Sequence, residues 1–264
     1  MPTDLPADPM PEISFCVTCR NRLWQLESTL PDNLAALGDR HEISLVDFGS
    51  TDGLAAWVWD RFRSAIERGR LVFFEVTSEV RWSSPRAKNL AHRVAGGSYL
   101  FNLDADNRIG PADVALVEQA AARGEAVHQW AGNWTDGSFG RIGLPRDLYH
   151  TLGGYDESML PMAGQDMDLL RRIHGSGRTI VRLAPPAMPA VQNTFEHKMA
   201  EVGPLHPSAQ DAYLQFRDIN RTLSRVRFAL EGPRRLGGFA SYRGRLNGAP
   251  VLIDGFDNVY RTGG

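Results

Sequence analysis

Short apolar segments alternate with longer amphipathic ones through the first hundred residues of this 264-residue chain. The short segments are typical of buried strands, and in the longer ones apolar residues recur at the spacing of a helix face. Because successive strand and helix units favour a parallel sheet covered by helices, we predict an α/β fold with a doubly wound sheet. The predicted strands span 13–17, 42–47, 71–76 and 98–103, and the predicted helices span 22–37, 54–67 and 84–95.

After residue 110 the alternation is less regular. Prolines crowd the stretch 185–207, where a continuous helix or a central strand is disfavoured. We therefore divide the chain into an N-terminal tail at 1–11, an α/β domain at 12–200 and a C-terminal extension of helix and loop at 201–264. The later predicted helices span 111–123, 167–174 and 209–230, and the short predicted strands span 126–130, 141–144 and 179–183.

Charge and hydropathy exclude several classes of protein. The 29 basic and 31 acidic residues give a formal net charge of −2, so no overall positive field would hold nucleic acid. No apolar run approaches the ~20 residues that cross a bilayer. Residues 1–12 carry three acidic residues, four prolines and no basic residue, unlike a secretory signal peptide. We therefore expect a soluble, cytoplasmic protein without a transmembrane segment.

The two cysteines, Cys16 and Cys19, form a Cys-x-x-Cys pattern. A redox pair of this kind needs a helix N-terminus, where the helix dipole lowers the pKa of a thiol. Here Cys16 lies inside a predicted strand, and no second pair or nearby histidine completes a zinc site. We therefore interpret both cysteines as structural.

Polar clusters follow three of the predicted strands. Residues 18–22 follow the first strand, Asp47 ends the second, and Asp104 and Asp106 follow the fourth. Ligands of an open parallel sheet bind at the carboxyl ends of its strands, so these clusters mark the expected site. No Gly-x-Gly-x-x-Gly follows the first strand and no Gly-Lys-Ser/Thr occurs, which excludes dinucleotide-binding and P-loop motifs.

Asp104 and Asp106 are the most informative pair. Two residues apart at the end of an extended segment, their side chains point to the same side. Two carboxylates so close repel each other, and a divalent cation relieves that repulsion while it bridges to phosphate oxygens. A solvated turn after the strand is the alternative interpretation.

The order of four motifs makes the chain resemble a family 2 glycosyltransferase, a group of nucleotide-sugar-dependent enzymes with the GT-A fold. The resemblance covers about residues 12–200 and depends on the sequence at all four places together. The motifs are Thr18-x-Arg20-Asn21-Arg22, the run VDFGSTDG at 46–53, the run RAKN at 86–89, and GGYDE at 153–157 followed by GQDMDL at 164–169.

The resemblance implies a Rossmann-like, mostly parallel sheet flanked by helices, with a nucleotide-binding half at 12–107 and an acceptor half at 108–200. It implies transfer of a hexosyl or N-acetylhexosaminyl group from a nucleotide sugar, with a UDP-sugar as the expected donor, to an acceptor hydroxyl. Mn²⁺ or Mg²⁺ would be the cofactor. Carried over to this sequence, the nucleotide-sugar-binding residues would be Thr18, Arg20, Asp47, Arg86 and Asp104.

The resemblance also implies that Asp106 ligates the metal and that Asp166 is the general base of an inverting reaction. His197 is the candidate third metal ligand, and Trp130 could stack on a sugar face. Gln165 stands where the family usually has glutamate, which affects positioning of the acceptor. Asp168 is expected to support the helix that carries Asp166.

Three alternatives remain open at this stage. A phosphatase of the haloacid dehalogenase type also uses an Asp-x-Asp pair, but places it after the first strand. A nucleotidyltransferase shares the metal chemistry but usually has a Gly-rich basic loop after that strand. A binding module could hold a nucleotide sugar without catalysis. For a glycosyltransferase without membrane helices, we expect a soluble small-molecule or glycan acceptor, and a homodimer is compatible with the sequence.

Overall fold

Four parallel strands form the centre of one sheet in the computed structural model, which describes residues 12–78, 80–134, 136–203, 208–235, 237–255 and 259–261. The strand β1 pairs with β2 on one side and β4 on the other, and β2 pairs with β3. The resulting order, β3-β2-β1-β4, is that of a Rossmann-like sheet, as predicted. These strands are β1 (Ile13–Cys19), β2 (His41–Asp47), β3 (Leu71–Val76) and β4 (Tyr99–Asn102).

Helices connect the parallel strands and cover both faces of the sheet. They are α1 (Leu23–Ala36), α2 (Leu54–Glu67) and α3 (Ser84–Val94). One carboxylate serves two helix starts: Asp52 Oδ2 accepts a hydrogen bond from the backbone N–H of Leu23, and its Oδ1 accepts one from Leu54. Because helix N-termini leave backbone N–H groups unpaired, this contact fixes α1 and α2 relative to each other beside the end of β1.

The central strands are apolar on both faces, so each face has its own core. Phe15 of β1 packs into the core under α1 and α2 with Leu26 and Val58. Cys16, on the opposite face, packs under α3 with Leu90. Cys16 and Cys19 are free and buried, and burial raises the pKa of both thiols.

The second half of the predicted domain extends the sheet beyond β4. The antiparallel strand β6 pairs with β4, β5 pairs with β6, and β7 pairs with β5. Here the chain reverses direction, which explains the less regular sequence pattern. The elements are α4 (Pro111–Ala122), β5 (Ala126–His128), β6 (Ile142–Pro145), α5 (Arg146–Leu152), α6 (Gln165–Gly175) and β7 (Ile180–Arg182).

The C-terminal part contains more regular structure than the expected helix and loop. The long helix is present with nearly its predicted bounds, but three antiparallel strands follow it and β8 adds to the edge of β3. Asn247 and Gly248 form the turn between β8 and β9 with φ of 49° and 85°. The elements are α7 (Phe195–Met199), α8 (Ala209–Glu231), β8 (Tyr242–Leu246), β9 (Ala249–Ile253) and β10 (Val259–Arg261).

Within the described ranges, no helix combines the length and the apolar character that crossing a membrane requires. The predicted N-terminal tail lies outside the described residues.

Candidate active site

A cavity of about 290 Å³ opens at the carboxyl ends of β1 and β4. This is the edge of the sheet where the sequence placed the polar clusters. The loop after β4, the first turn of α6, the segment around α7 and one face of α8 all contribute to its walls. The predicted site residues in its lining are Thr18, Arg20, Asp104, Asp106, Gln165 and Asp166.

Lys88 of α3 joins two of these carboxylates. Its Nζ lies 2.8 Å from Asp166 Oδ1 and 3.1 Å from Asp104 Oδ1, and its side chain is only 3% exposed. A buried ammonium is costly unless it is paired, and here it has two anionic partners. Burial disfavours the charge of Lys88, but Asp104 and Asp166 outweigh burial and hold its pKa above the usual range.

The two aspartates differ in their electrostatic environment. Burial disfavours the charge of Asp104, but Lys88 and a hydrogen bond from Asn102 outweigh it and hold the pKa of Asp104 below its usual value. Burial also raises the pKa of Asp166, and in that case the opposing effect of Lys88 does not compensate fully. Asp104 is thus suited to remain an anion, whereas Asp166 is suited to accept a proton.

Asp166 lies in the first turn of α6, where the helix dipole favours an acidic side chain. The backbone before it turns through Ala163 and Gly164, whose φ angles are 67° and 85°. Asn220 of α8 holds this turn: its Nδ2 donates to the carbonyl of Ala163 at 2.6 Å, and its Oδ1 accepts from the N–H of Leu160 at 2.9 Å. The helix α8 therefore positions the candidate base.

Gln165 is buried next to Asp166. Its Nε2 lies 3.1 Å from Ser84 Oγ and 3.4 Å from Asp166 Oδ2, while its Oε1 is shielded from solvent and has no hydrogen-bond partner among the residues that the structure describes. Buried polar atoms in folded proteins usually have a hydrogen-bond partner, and a polar ligand in the cavity could provide the partner of Gln165 Oε1.

Asp106 is buried, and both of its carboxylate oxygens contact neutral amide groups. Its Oδ1 accepts a hydrogen bond from Asn107 Nδ2 at 2.6 Å and its Oδ2 accepts one from Asn193 Nδ2 at 3.2 Å. Burial, and next the charge of Asp104, raises the pKa of Asp106. A divalent cation would reverse this effect, and hard carboxylate and carbonyl oxygens are the ligands that Mg²⁺ and Mn²⁺ prefer. The donor set at Asp106 therefore fits such a cation.

The histidine, cysteine, aspartate and glutamate side chains that usually complete a metal site do not cluster around Asp106 in the described ranges. Within the described part of the chain, no group of three or more histidine, cysteine, aspartate or glutamate side chains could hold a metal ion. A cation at Asp106 would need other oxygen ligands, from neutral side chains, water or a bound diphosphate.

Arg20 is tied to the surrounding backbone. Its Nη1 donates to the carbonyls of Phe48 and Val80, and its Nε forms an ion pair of 2.8 Å with Glu201. The other oxygen of Glu201 accepts from Asn21 Nδ2 at 2.9 Å. Glu201 thus fastens the segment after α7 to the end of β1, above the cavity.

Two predicted nucleotide-binding residues lie outside the cavity lining. Asp47 is buried at the end of β2, where its Oδ1 accepts a hydrogen bond from the N–H of Ser50 at 2.7 Å. The side chain of Arg86 is half exposed, lies 3.8 Å from Glu157 Oε2 and lines a separate cavity of about 380 Å³. The structure brings neither side chain to the cavity that holds Asp104.

Three further candidates also lie apart from that cavity. His197 is exposed, and its ring packs against Trp24 with 5.2 Å between ring centroids. Trp130 is half-buried, and its ring contacts those of Trp134 and Phe139, which do line the cavity. Asp168 is fully buried on the other side of α6.

Asp168 forms a network of charged groups between α6 and α8. Its Oδ2 pairs with Arg172 Nε at 2.7 Å, and its Oδ1 accepts from Ser224 Oγ and Arg235 Nη2, each at 2.6 Å. The surroundings of Asp168 are those of a structural residue that joins the C-terminal extension to α6.

Sequence reasoning missed several lining residues. Lys88 belongs to the RAKN motif at 86–89, so a sequence signal for it exists. The family resemblance, however, implies Arg86 of that motif as the binding residue. Glu201 and the α8 residues carry no local signal because they come from a part of the chain without a recognised motif. The missed lining residues include Lys88, Phe139, Asn193, Glu201, Tyr213, Leu214 and Arg217.

Several solved structures share this fold. One is the mannosyltransferase PcManGT from Pyrobaculum calidifontis in complex with GDP-Man and Mn²⁺, which is 20% identical, covers 87% of this chain and 80% of its own, and gives a TM-score of 0.54. Another is S. aureus TarS 1–349 in complex with UDP-GlcNAc, which is 12% identical, covers 81% of this chain and 69% of its own, and gives a TM-score of 0.58.

No protein-family model matches the sequence, and no curated protein matches it significantly. At this level of identity the structural likeness establishes the fold. The chain has the fold of these two proteins, which confirms the GT-A architecture that its motifs imply.

Proposed function

We propose that this chain is a glycosyltransferase that moves a hexosyl or N-acetylhexosaminyl group from a nucleotide sugar to an acceptor hydroxyl. The convergence of Asp104, Asp106 and Asp166 on one cavity carries the proposal. Structures of the same fold contain GDP-Man or UDP-GlcNAc. We propose a UDP-sugar as the donor and Mn²⁺ or Mg²⁺ as the cofactor.

Donor binding would involve residues at the ends of β1 and β4. Thr18 and Arg20 would face the nucleoside, Asp104 would contact the ribose or the donor sugar, and Asp106 would hold the cation. Three fixed contacts of the Arg20 guanidinium support this role, since they hold the side chain before the donor arrives. A bound cation would stabilise the negative charge of the departing diphosphate.

Asp166 would remove the proton from the acceptor hydroxyl in an inverting displacement. Lys88 holds Oδ1 of this carboxylate, whereas the one hydrogen bond of Oδ2 with a described residue is the 3.4 Å contact with Gln165. Oδ2 is therefore the oxygen available for the acceptor proton. The raised pKa of Asp166 supports a role as base, because proton transfer is efficient when the pKa of the base is closer to the working pH.

The walls next to Asp166 suit an acceptor with an apolar ring face. Tyr213 and Leu214 of α8 line this part of the cavity together with Trp134 and Phe139, whose rings stack at 4.5 Å. Aromatic side chains of this kind pack against the apolar faces of sugars and other rings. We propose a small-molecule or glycan acceptor that binds along this wall.

The test has two stages. Calorimetric titration of UDP and GDP, in Mn²⁺, in Mg²⁺ and in EDTA, should show nucleotide binding that depends on the metal. Release of nucleotide from a panel of UDP- and GDP-sugars should then rise when an acceptor with a free hydroxyl is added. Nucleotide binding without any transfer would support a binding module instead, and the lack of binding by either nucleotide would contradict both functions.

A further inference from the structure

In the part of the chain that the structure describes, the hydrogen-bond partners of the Asp106 carboxylate are neutral amides. Asn107 Nδ2 donates to its Oδ1 and Asn193 Nδ2 donates to its Oδ2. Among the described residues, no lysine, arginine or histidine forms an ion pair with Asp106. A cation bound at this carboxylate would therefore meet amide groups rather than a paired positive side chain, although the charges of Asp104 and Arg22 also act on Asp106.

Backbone contacts fix Asn193 beside Asp106. The N–H of Val191 donates to the carbonyl of Asp106 at 2.7 Å, which aligns the segment before α7 with the loop after β4. Two residues later the side chain of Asn193 enters the lining of the main cavity. Its position relative to Asp106 thus follows from the main chain as well as from the amide contact.

The amide oxygen of Asn193 lacks a partner. Its Oδ1 is shielded from solvent and forms no hydrogen bond with a described residue, although most shielded polar atoms in folded proteins have one. In the absence of a cation, the amide nitrogen is the group that can face a carboxylate. A rotation of the amide by half a turn would place the oxygen where the nitrogen now lies, 3.2 Å from Asp106 Oδ2.

That separation matches a shared cation. Neighbouring oxygens in an octahedral site with bonds of about 2.0–2.1 Å lie roughly 3 Å apart, and amide oxygens are suitable ligands for Mg²⁺ and Mn²⁺. We infer that Asn193 is the second protein ligand of the divalent cation at Asp106, in the role that the sequence suggested for His197. This inference rests on the proposed function.

The amide rotation also explains how one side chain can serve both states. Without a cation, Asn193 donates a hydrogen bond and stabilises the Asp106 carboxylate. With a cation, its oxygen binds the metal and its nitrogen turns away. His197 cannot take this role in the described geometry, because its ring packs against Trp24 at the surface.

The test compares metal-dependent nucleotide binding in four proteins. The affinity for UDP and for GDP is measured by calorimetry in Mn²⁺ and in EDTA, and the ratio of the two dissociation constants reports the metal site without any activity measurement. Asn193→Ala should reduce this ratio about tenfold or more, which is the loss expected at a metal centre, and leave the affinity in EDTA unchanged. His197→Ala should retain the ratio of the unaltered protein.

Asn193→Asp distinguishes a ligand from a hydrogen-bond donor. If Asn193 binds the cation, the aspartate should keep or raise the ratio because it adds a charged oxygen ligand. If Asn193 only donates to Asp106, the aspartate repels it and the ratio should fall as in Asn193→Ala, which overturns the inference. An unchanged ratio in Asn193→Ala overturns the inference alone, whereas a lack of metal-dependent binding in the unaltered protein contradicts the proposed cofactor as well.

Discussion

Lys88 Nζ lies 2.8 Å from Oδ1 of Asp166 and thereby connects α3, on the donor side, with the helix that carries the proposed base. The same nitrogen contacts Asp104, so one buried positive charge pairs with both the proposed donor-site carboxylate and the proposed base. A change in the charge of Asp104 therefore alters the electrostatic environment of Asp166, and the reverse also holds.

Replacement of the proposed base should impair chemistry more than binding. Asp166→Asn keeps the size of the side chain but cannot accept a proton, so we expect sugar transfer to fall by roughly 10²–10⁴-fold. Nucleotide affinity should change little, because the group acts on the acceptor. The control is Asp218→Asn on the exposed face of α8. Near-complete transfer by Asp166→Asn would show that the base lies elsewhere.

The pH dependence of kcat/KM should reflect the charge of Asp166. The base must be deprotonated, and burial raises its pKa, so the rate should decline as the pH falls through a value above that of an ordinary aspartate. Lys88→Met removes the main opposing charge and should move this acidic limb to higher pH. A limb at the same pH in both proteins would mean that Asp166 is not the titrating group.

The Asp168 network should contribute strongly to stability. Asp168→Asn leaves the buried Arg172 without its carboxylate and leaves Arg235 with Asp156 but without Asp168, and the loss of a partner from a buried ion pair costs about 3–5 kcal/mol of unfolding free energy. Urea denaturation measures the change, with the exposed variant Asp218→Asn as the matched control. Equal midpoints for the two variants would contradict a structural role for Asp168.

The Asp168 carboxylate should make the unfolding free energy depend on pH in the acidic range. Burial disfavours its charge, but Arg172, Ser224 and Arg235 outweigh burial and hold the pKa of Asp168 below its usual value. A depressed pKa gives stability that is complete above the unfolded-state pKa and declines as the pH falls towards the folded-state value. Stability measured across this acidic range should therefore decline less steeply in Asp168→Asn than in the unaltered protein.

A methyl group at Gly140 should disturb the donor site without affecting the core. A Cβ atom there would lie 2.4 Å from Asp104 Oδ2 and 3.3 Å from Lys88 Nζ. Since the first distance is too short, the Asp104 carboxylate must move, and Gly140→Ala should weaken nucleotide binding. Gly237→Ala is the control, because a Cβ atom there meets no described atom within 4 Å. Equal nucleotide affinity in both variants would mean that Asp104 does not contact the donor.

Sequence patterns sufficed for the parallel half of the fold. The helix at 54–67 and the strand at 71–76 have the predicted bounds, because each has apolar residues at the spacing of its own element. The strands β8 and β9 were missed, although Asn247-Gly248 between them is a strong hairpin signal. In β8, Gly244 stands between the exposed Arg243 and Arg245, which gives too little apolar contrast for a prediction of a strand.

The predicted site residues at the end of β1 and after β4 line the cavity, whereas Asp47 at the end of β2 and Arg86 on α3 do not. Asp104 and Asp106 reach the cavity because the end of β4 fixes their direction. Arg86 and Lys88 lie about 200° apart around α3, and only the packing of that helix decides which of them faces the cavity. The residues of α8 and Asn193 line the cavity because distant parts of the chain contact each other, and a single sequence does not reveal such contacts.

The pairing of β8 with β3 has a consequence for biosynthesis. Phe74 pairs with Leu246, so the edge of β3 is covered only after β8 has left the ribosome. Until then its backbone N–H and C=O groups form an open strand edge, which is a template for association with other chains. A product that stops after α8 would keep this edge, and we expect it to aggregate even though it carries every residue proposed for catalysis.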